Sequence, residues 1–540
     1  MRRVAPVLAA LSATAALTAC SPVTPAAAAA ADYLVFYADG RRADALTAVR
    51  KADGTVTHTE TKLGYLIAQG SGERFAETVG ADPAVVGVSG DRAIGRTSAT
   101  AARAFPDGSA FGEKGSAEKS DPLSGLQWDM RMIGADRANE KAPGTKKVLV
   151  GVIDTGIDGN HPDIAPNFNR GLSRNFVTDR PKDENGENLD GPCEAADCKD
   201  PVDQDDEGHG THVASTIAAP INGIGIAGVA PGVQLVNIRA GQDSGFFFLK
   251  ASLDALTYAG DIGVDVVNMS YYVDPWLFNC RANPSDSKKE QLEQRAIITG
   301  MQRALDYARK KGVTLVSALG NGATDLGRPK VDNDSPGYPR GDEKIRRIDN
   351  GCLNVPAESE GVISVASVGP SGRKAIYSDY GTEQADVAAP GGDALDGKGA
   401  SPTRSILAAA PEKALRAKGR IGADGKPKGQ DVVRDCARGT CAYYQYLDGT
   451  SMAAPHASGV AAIIISRFGK PGPGGVTLAP DTVEEYLYKT ATPTACPVPR
   501  AYVYDVYGEK TTHVCEGGPD KNGFYGHGIV NALEAATFEP

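Results

Sequence analysis

The sequence predicts an α/β protein with a mostly parallel sheet flanked by helices, preceded by a small separate α/β domain. Short apolar runs alternate with longer helical patterns from residue 148 to the helix after residue 451. This alternation is typical of a parallel sheet that is covered on both faces. A shorter pattern of the same kind lies at 33–88. Polar residues follow several of the apolar runs, at the carboxyl ends of strands where such sheets carry their functional sites.

The composition fits a soluble globular protein and excludes some partners. The chain has 540 residues, which is enough for more than one domain, with 41% hydrophobic and 23% charged residues. Its formal net charge of −10 argues against nucleic acid or an anionic membrane surface as a partner, because phosphate contacts need clustered Lys and Arg. The seven histidines show no Cys/His spacing of a metal site.

The first residues predict export. Arg2 and Arg3 precede an apolar stretch at 4–19 that is too short for a membrane span, so residues 1–20 read as a signal peptide. Its last four residues, LTAC, resemble a bacterial lipobox in which Cys20 would be lipidated and become the new N-terminus. The alternative is an ordinary secretory peptide cut within 26–31. The predicted location is extracellular, either lipid-anchored at the cell surface or secreted, and the anchor would be the sole membrane contact.

The cysteines favour the same compartment. Of nine cysteines, eight remain when Cys20 is set aside, and eight can pair completely in an oxidising environment. The sequence does not fix the pairing, but short loops favour three disulfides, and elimination leaves a fourth. The expected pairs are Cys193 with Cys198, Cys436 with Cys441, Cys496 with Cys515, and Cys280 with Cys352. Metal ligation is the alternative, but none of these pairs forms a Cys-x-x-Cys.

The elements that precede the main sheet form a compact pattern after a Pro/Ala tether at 21–31. Apolar runs predict strands at 33–37, 63–68 and 85–88, and helical patterns occupy 43–51 and 73–79. We assign this domain to residues 32–95. Residues 96–121 are rich in Ala, Ser, Gly and charge, which is typical of an exposed linker open to proteolytic processing.

The remaining region, 122–540, carries the main sheet. Buried strands are predicted at 148–153, 235–238, 265–269, 314–319 and 362–368. Helices are predicted at 208–219, 249–258 and 290–311 and after residue 451. Four stretches interrupt this alternation and are expected to be surface excursions. They are 170–206, 274–289, 323–356 and 393–446, and each contains at least one of the cysteines of the predicted disulfides.

The segment 449–455 (GTSMAAP) predicts a nucleophile, because it places Ser451 in the first turn of a helix. Backbone N–H groups there point at incoming negative charge. A serine hydroxyl is weak at neutral pH unless a base and an orienting carboxylate lie nearby. Asp154 follows the strand at 148–153 and supplies the carboxylate. His209 opens the helix of 208–219 and supplies the imidazole.

These segments share a family resemblance. The sequences DTG at 154–156, HGTHVA at 209–214 and GTSMAAPH at 449–456 together resemble the subtilisin family of serine peptidases, over about residues 122–535. The resemblance implies a serine endopeptidase in which Asp154 orients His209, and His209 activates Ser451. It also implies that Asn321 holds the oxyanion together with the Ser451 N–H. No cofactor is required for this chemistry. His212 is expected to be a packed helix residue.

The resemblance places the substrate between two backbone walls. Its substrate-binding residues are Ser270, Tyr271, Tyr272, Val273, Ala318, Leu319 and Gly320. The family usually has Leu-Gly-Gly after the serine, so the two tyrosines are a departure that should narrow a subsite. This favours a selective processing peptidase of leader or proprotein type as the alternative to a general endopeptidase. A catalytically silent binding protein on the same fold is the other alternative. Such proteins usually lack one of the three catalytic residues, whereas Asp154, His209 and Ser451 are all present here.

The small N-terminal domain resembles the family's inhibitor-like propeptide. A template is useful because parallel sheets have many non-local contacts and fold slowly. The domain is therefore expected to be a partner of its own enzyme, as folding template and inhibitor, in addition to the protein or peptide substrate. The alternative is a permanent accessory domain. The protein is predicted to be a monomer.

Two acidic features have open interpretations. The run at 203–207 contains Asp203, Asp205, Asp206 and Glu207 directly before His209. It is either a solvated loop or an acidic rim that selects basic substrate side chains.

The second feature is a possible calcium loop, which follows from the resemblance. Side-chain oxygens of Asn222 and Asp163 and backbone carbonyls of Pro220, Ile224 and Ile226 would bind the ion, since calcium prefers hard oxygen ligands. The N-terminal ligand of the family site has no clear match. Any calcium is expected to be structural.

Overall fold

The computed structural model describes residues 31–71, 74–90, 120–183, 185–472, 474–506 and 508–540. The predicted signal peptide with Cys20, nearly all of the tether and residues 96–119 of the linker lie outside these residues. Among the helices of the described part, none combines the length and apolar character that a membrane crossing needs.

The N-terminal domain is an antiparallel sheet with two helices. Its elements are β1 (Ala31–Tyr37), α1 (Arg42–Lys51), β2 (Thr55–Glu60), β3 (Tyr65–Gly70), α2 (Phe75–Gly80) and β4 (Val85–Gly90). The strand order is β2-β3-β1-β4. The predicted helices and strands are present with shifted ends. One strand, β2, was missed, because its Thr-rich sequence alternates weakly and none of its residues is buried.

The main domain contains every predicted strand and helix, together with shorter strands that the pattern did not predict. Its helices are α3 (Trp128–Met132), α4 (Ala135–Ala138), α5 (His209–Ala218), α6 (Leu249–Ile262), α7 (Lys288–Lys310), α8 (Glu412–Ala417), α9 (Thr450–Phe468), α10 (Pro480–Thr490) and α11 (Ala532–Thr537). The strands up to the end of the main sheet are β5 (Leu149–Ile153), β6 (Arg174–Asn175), β7 (Gln234–Arg239), β8 (Val266–Met269), β9 (Asn279–Cys280), β10 (Thr314–Ala318), β11 (Val331–Asp332), β12 (Arg346–Arg347), β13 (Cys352–Leu353), β14 (Val362–Val368) and β15 (Val387–Pro390). The later strands are β16 (Ile406–Ala409), β17 (Val432–Ala437), β18 (Thr440–Leu447), β19 (Lys470–Gly472), β20 (Gly475–Thr477), β21 (Ala501–Val506) and β22 (Glu509–Val514).

Seven strands form the central sheet in the order β15-β14-β10-β8-β5-β7-β6, and all of its pairs are parallel. Both faces are covered, as β5 shows. Val150 and Val152 belong to the core that contains α5 and α9, whereas Leu149 and Ile153 belong to the core that contains α6 and α7. The apolar character of β5 on both faces explains why it reads as a continuous hydrophobic run.

The expectation that 393–446 is a surface excursion is wrong for much of its length. Strands β16, β17 and β18 form an antiparallel sheet, and Leu407 and Tyr444 are buried in a core of their own. The sheet also packs on the helix that begins at His209, since Ser215 Oγ accepts a hydrogen bond from Ala409 N at 2.9 Å. The interruption at 274–289 likewise holds a fully buried residue, Trp276.

Four disulfides join the cysteine pairs that loop length and elimination favoured. They are Cys193 with Cys198, Cys280 with Cys352, Cys436 with Cys441, and Cys496 with Cys515. The disulfide prediction is confirmed.

The N-terminal domain docks on α7. Its sheet contributes Leu34 and Phe36 to the core that α6 and α7 share with the main sheet. Arg303 on α7 donates hydrogen bonds to the carbonyl oxygens of Tyr37, Leu63 and Gly64 at 3.0 to 3.2 Å. The approach is close, because a Cβ added at Gly87 would lie 2.4 Å from the backbone nitrogen of Ala296. The two domains therefore form a packed interface.

Candidate active site

The carboxyl end of β5 and the start of α5 bring a carboxylate and an imidazole together. Asp154 Oδ1 lies 2.7 Å from His209 Nδ1, and both side chains are buried. Burial alone would lower the pKa of His209, but the charge of Asp154 and its hydrogen bond outweigh that effect and raise the pKa above its ordinary value. An aspartate on Nδ1 leaves Nε2 as the nitrogen that can accept a proton.

A third buried residue, Asp205, supports the contact between Asp154 and His209 by binding the residues next to them. Its Oδ1 accepts from Thr155 Oγ1 at 3.0 Å, and its Oδ2 accepts from Thr211 N at 2.9 Å. Thr155 Oγ1 in turn accepts from the backbone nitrogen of Gly210 at 3.1 Å. Because these bonds tie the loop after β5 to the first turn of α5, the positions of Asp154 and His209 depend on each other.

Ser451 lies in the first turn of α9 and is fully buried. Its hydroxyl donates to the carbonyl oxygen of Ser270 at 3.1 Å. Within the described residues, His209 Nε2 is buried without a hydrogen-bond partner, so no bond joins it to Ser451 in this conformation. The structure therefore brings the predicted base and its carboxylate into contact, with the predicted nucleophile bonded to a neighbouring strand end.

Asn321 follows β10 and is held by the residue before Ser451. Its Oδ1 accepts from both the backbone nitrogen and the hydroxyl of Thr450, each at 2.9 Å. Thr450 Oγ1 also accepts from Gly320 N at 3.1 Å. The amide oxygen of Asn321 is thus occupied, which assigns its Nδ2 group to the side that faces Gly449, where an added Cβ would lie 3.6 Å away.

The predicted substrate walls lie at the ends of β8 and β10, but several of their side chains face the core. Ser270, Val273 and Leu319 are fully buried, and Ala318 is nearly so. The ring of Tyr271 is also buried and stacks on Phe247, with ring centroids 4.1 Å apart. Tyr272 is the partly exposed tyrosine of the pair. The bulk of Tyr271 therefore fills the core under this wall.

The acidic run before His209 is largely paired within the molecule. Glu207 contacts Lys418, Asp206 contacts Lys413, and Asp203 contacts Arg170. Asp205 is the buried carboxylate described above. These ion pairs reduce the negative charge that the run could offer to a basic substrate, which argues against the acidic-rim interpretation.

The predicted calcium residues surround the loop after α5. Asp163 accepts from Asn222 Nδ2 at 3.0 Å, from Ile226 N at 3.0 Å and from Tyr444 Oη at 2.7 Å. Asn222 Oδ1 accepts from Ile224 N at 3.1 Å, within the same loop. Pro220 lies two residues after the end of α5 and is buried.

Asp121 is an acidic neighbour of this loop that sequence reasoning missed as a ligand. Its Oδ1 accepts from the backbone nitrogens of Asn222 and Gly223, while its buried Oδ2 has no hydrogen-bond partner among the described residues. Burial raises the pKa of Asp121 to about 6, and burial together with repulsion from Asp121 raises that of Asp163 to about 7. An unpaired buried carboxylate oxygen beside a second acid is a donor set that suits calcium.

The other histidines near the site are structural. His212 Nε2 lies 3.1 and 3.0 Å from the carbonyl oxygens of Ile406 and Gln445, and burial lowers its pKa to about 3. His456 on α9 contacts Asp129 Oδ2 at 3.1 Å. The expectation that His212 is a packed helix residue agrees with these contacts, which join it to β16 and β18.

Comparisons with known proteins agree on one family. A sequence profile of the subtilase family matches residues 145–528. The chain is 27% identical to subtilisin DY of Bacillus licheniformis, over 68% of this chain and 92% of that protein. It is 28% identical to a thermophilic serine proteinase of Bacillus sp. (strain AK1), over 64% of this chain and 58% of that protein. The fold resembles that of an epidermin leader peptide processing serine protease from Staphylococcus aureus, with a TM-score of 0.61 at 22% identity over 94% of this chain and 98% of that chain.

Proposed function

Because this chain belongs to the subtilase family of serine endopeptidases, we propose that it cleaves peptide bonds through an acyl-enzyme on Ser451. His209 takes the hydroxyl proton of Ser451 as its oxygen attacks the peptide carbonyl. Asp154 fixes the imidazole tautomer and stabilises the charged ring. His209 then protonates the leaving amine, and water hydrolyses the acyl-enzyme by the same route.

The reaction requires one local change at the nucleophile. In this conformation the Ser451 hydroxyl donates to Ser270 O. To react, it must release that bond and donate to His209 Nε2, which has no competing partner among the described residues. A change of side-chain rotamer is enough to move a serine hydroxyl between two acceptors.

Asn321 is the proposed side-chain donor to the oxyanion. The Thr450 contacts use its amide oxygen as an acceptor, so the Nδ2 group is the part of the amide that can donate to the developing negative charge. The Ser451 N–H at the start of α9 is the second donor. Loss of one such donor typically lowers kcat about 100- to 1,000-fold.

The contact of 2.7 Å between Asp154 Oδ1 and His209 Nδ1 is the observation that carries this proposal. It fixes the tautomer of the base, so that Nε2 is the nitrogen that can accept the serine proton. The test is labelling of the purified protein with a fluorophosphonate. We expect labelling to be lost in Ser451→Ala and strongly reduced in His209→Ala. Ser466→Ala, on the same helix, should label normally. Labelling that persists in Ser451→Ala would refute the assignment and would leave a silent binding protein as the better account.

For the substrate, we infer selective processing of leader or proprotein type as the alternative to general digestion. The support is Tyr272, the partly exposed tyrosine at the end of β8, which stands where the family usually has a glycine. A profile of new N-termini from a complex protein mixture tests this alternative. A few related cleavage sites would support it, and cleavage after many unrelated residues would favour a general endopeptidase.

The N-terminal domain is proposed to be the enzyme's own propeptide, acting as template and inhibitor. Its support is the docking on α7, where Arg303 binds carbonyl groups of this domain. The processing site would precede Asp121, because Asp121 is bonded to the loop of Asn222 in the main domain.

Export is likewise proposed, with Cys20 as the lipid-anchored residue or with release after a cut within 26–31. Its support is the disulfide set, which uses the other eight cysteines and is typical of an oxidising compartment.

A further inference from the structure

Asp379 is a buried carboxylate beneath the loop that carries Asn321. Only 2% of its surface is exposed. It lies between β14 and β15, in the segment that passes under the end of β10. Its Oδ1 accepts from the backbone nitrogen of Thr324 at 2.7 Å, and the carboxylate also accepts from the backbone nitrogen of Gly322. It therefore contacts the chain immediately after Asn321.

The same residue contacts the chain immediately before Asn321. The backbone nitrogen of Asp379 donates to Gly320 O at 2.9 Å. Its Oδ2 packs so tightly on Gly320 that an added Cβ there would lie 2.2 Å away. Gly320, at φ +128°, is thus a position where glycine is needed both for the backbone angle and for the close approach.

The loop held in this way is strained. Ala323 has φ +56°, in the left-handed region that is unfavourable for residues with a Cβ. Its backbone nitrogen donates to Tyr377 O at 2.7 Å, and Tyr380 N donates to Thr324 O at 3.0 Å. A strained loop keeps its shape only when its surroundings impose it, and the segment around Asp379 supplies those contacts.

The charge of Asp379 has no ion-pair partner in contact among the described residues. The cation that acts on it is Lys374, which is fully buried and gives its ammonium hydrogens to the carbonyl oxygens of Ala375 and Ser378 at 2.9 and 2.6 Å. Glu358 is a nearby acid of the same sign. Burial raises the pKa of Asp379 to about 7. The backbone N–H groups of the loop are therefore the hydrogen-bond donors that stabilise its ionised form.

We propose that Asp379 is a positioning residue for the oxyanion donor: its carboxylate holds the loop 320–324, and through that loop the Asn321 amide, in the orientation that receives the oxyanion. This inference rests on the proposed role of Asn321. Thr450 fixes one end of the amide through its oxygen, and Asp379 fixes the backbone on both sides of it. An asparagine at 379 keeps the volume but turns one N–H group toward the loop, where backbone N–H groups already point.

The test is a double-mutant cycle with Asn321→Ala and Asp379→Asn, using kcat and KM for one fluorogenic peptide. Assays at about pH 9 keep Asp379 ionised and leave Lys374 neutral, because burial lowers the pKa of that lysine to about 7. Fluorophosphonate titration counts active sites. We expect Asn321→Ala to lower kcat about 100-fold or more. Asp379→Asn should lower kcat about 10-fold with KM changed less than about twofold, and should add little in the Asn321→Ala background.

The matched control is Asp265→Asn. Asp265 is also a buried carboxylate with a pKa raised to about 7, and it accepts from Leu149 N at 2.8 Å, but it lies at the opposite end of the sheet. The Asp265→Asn variant should be less stable than the wild type and should keep the wild-type kcat. If Asp379→Asn does not accumulate as folded enzyme, Asp379→Ser removes the charge with less bulk and is measured instead.

Equal losses from the Asp379 variant in both backgrounds, or an equal loss of kcat in Asp265→Asn, would overturn the positioning role and leave the proposed function intact. An unchanged kcat in Asn321→Ala would instead overturn the oxyanion role, and this inference with it.

Discussion

Ser270 and Ser451 each donate a side-chain hydrogen bond to the backbone carbonyl oxygen of the other. Ser270 Oγ donates to the carbonyl oxygen of Ser451 at 2.9 Å, and Ser451 Oγ donates to the carbonyl oxygen of Ser270 at 3.1 Å. The first bond has a cause in the sequence of α9. Pro455 stands four residues after Ser451 and has no N–H group, so the helix leaves the Ser451 carbonyl without its usual donor. Ser270 supplies that donor from the end of β8.

Ser270→Ala should therefore impair both stability and turnover. The substitution leaves a buried carbonyl unpaired, which costs about 1–3 kcal/mol of unfolding free energy. It also frees the first turn of α9, and a small displacement of the nucleophile lowers kcat about 10- to 100-fold. Thermal unfolding and active-site-titrated kcat would measure the two effects.

Ser458→Ala is the matched control for this effect. Its hydroxyl donates to Asn268 Oδ1 at 2.9 Å, and Asn268 Nδ2 in turn donates to Ser270 Oγ. Ser458 therefore belongs to the same hydrogen-bond network but does not contact Ser451 through it directly. We expect a comparable loss of stability with a smaller loss of kcat. Similar losses of kcat in both variants would mean that Ser270 does not act on Ser451 directly.

The acidic limb of the pH profile should depend on Asp154. His209 acts as a base only when it is neutral, and its pKa is raised because Asp154 outweighs burial. The midpoint of kcat/KM should therefore lie above the ordinary histidine value of about 6.5. In Asp154→Asn the charge is gone while burial remains, so the midpoint should shift to lower pH, and the maximum rate should fall about 10,000-fold. A midpoint that stays in place would show that another group titrates.

Site residues that directly follow a buried strand could be predicted from the sequence. Residues whose role depends on contacts with distant parts of the chain could not. Asp154 could be located because β5 is apolar on both faces and stops at a carboxylate. The hydroxyl of Ser270 acts on a residue 181 positions away, and its one sequence signal is Pro455. Asp379 carries no such signal. The sheet of β16, β17 and β18 was missed because β17 alternates irregularly between buried and exposed residues.

Arg303→Ala should weaken the docking of the N-terminal domain. The guanidinium donates to carbonyl groups of that domain and contacts Asp39. If the domain is a folding template, denatured full-length Arg303→Ala should regain less active enzyme on refolding than the wild type. Arg309→Ala is the control, since Arg309 lies on the same helix but contacts Asp481 and Glu484 in the main domain. Equal yields of active enzyme from refolded Arg303→Ala and wild type would favour a permanent accessory domain.

Calcium should stabilise the loop that follows α5. Asp121 and Asp163 repel each other, and a cation between oxygen ligands would relieve that repulsion while using the unpaired Asp121 Oδ2. At a free calcium concentration about 100 times Kd, binding adds about 2.7 kcal/mol to the unfolding free energy. We expect Tm to rise by several degrees with calcium, to fall in chelator, and to respond little to magnesium, which demands a tighter octahedral site. In Asp121→Asn the calcium response should shrink, while Asp265→Asn should retain it in full. A Tm that is the same in calcium and in chelator would mean that hydrogen bonds alone, such as that from Tyr444 to Asp163, hold this loop.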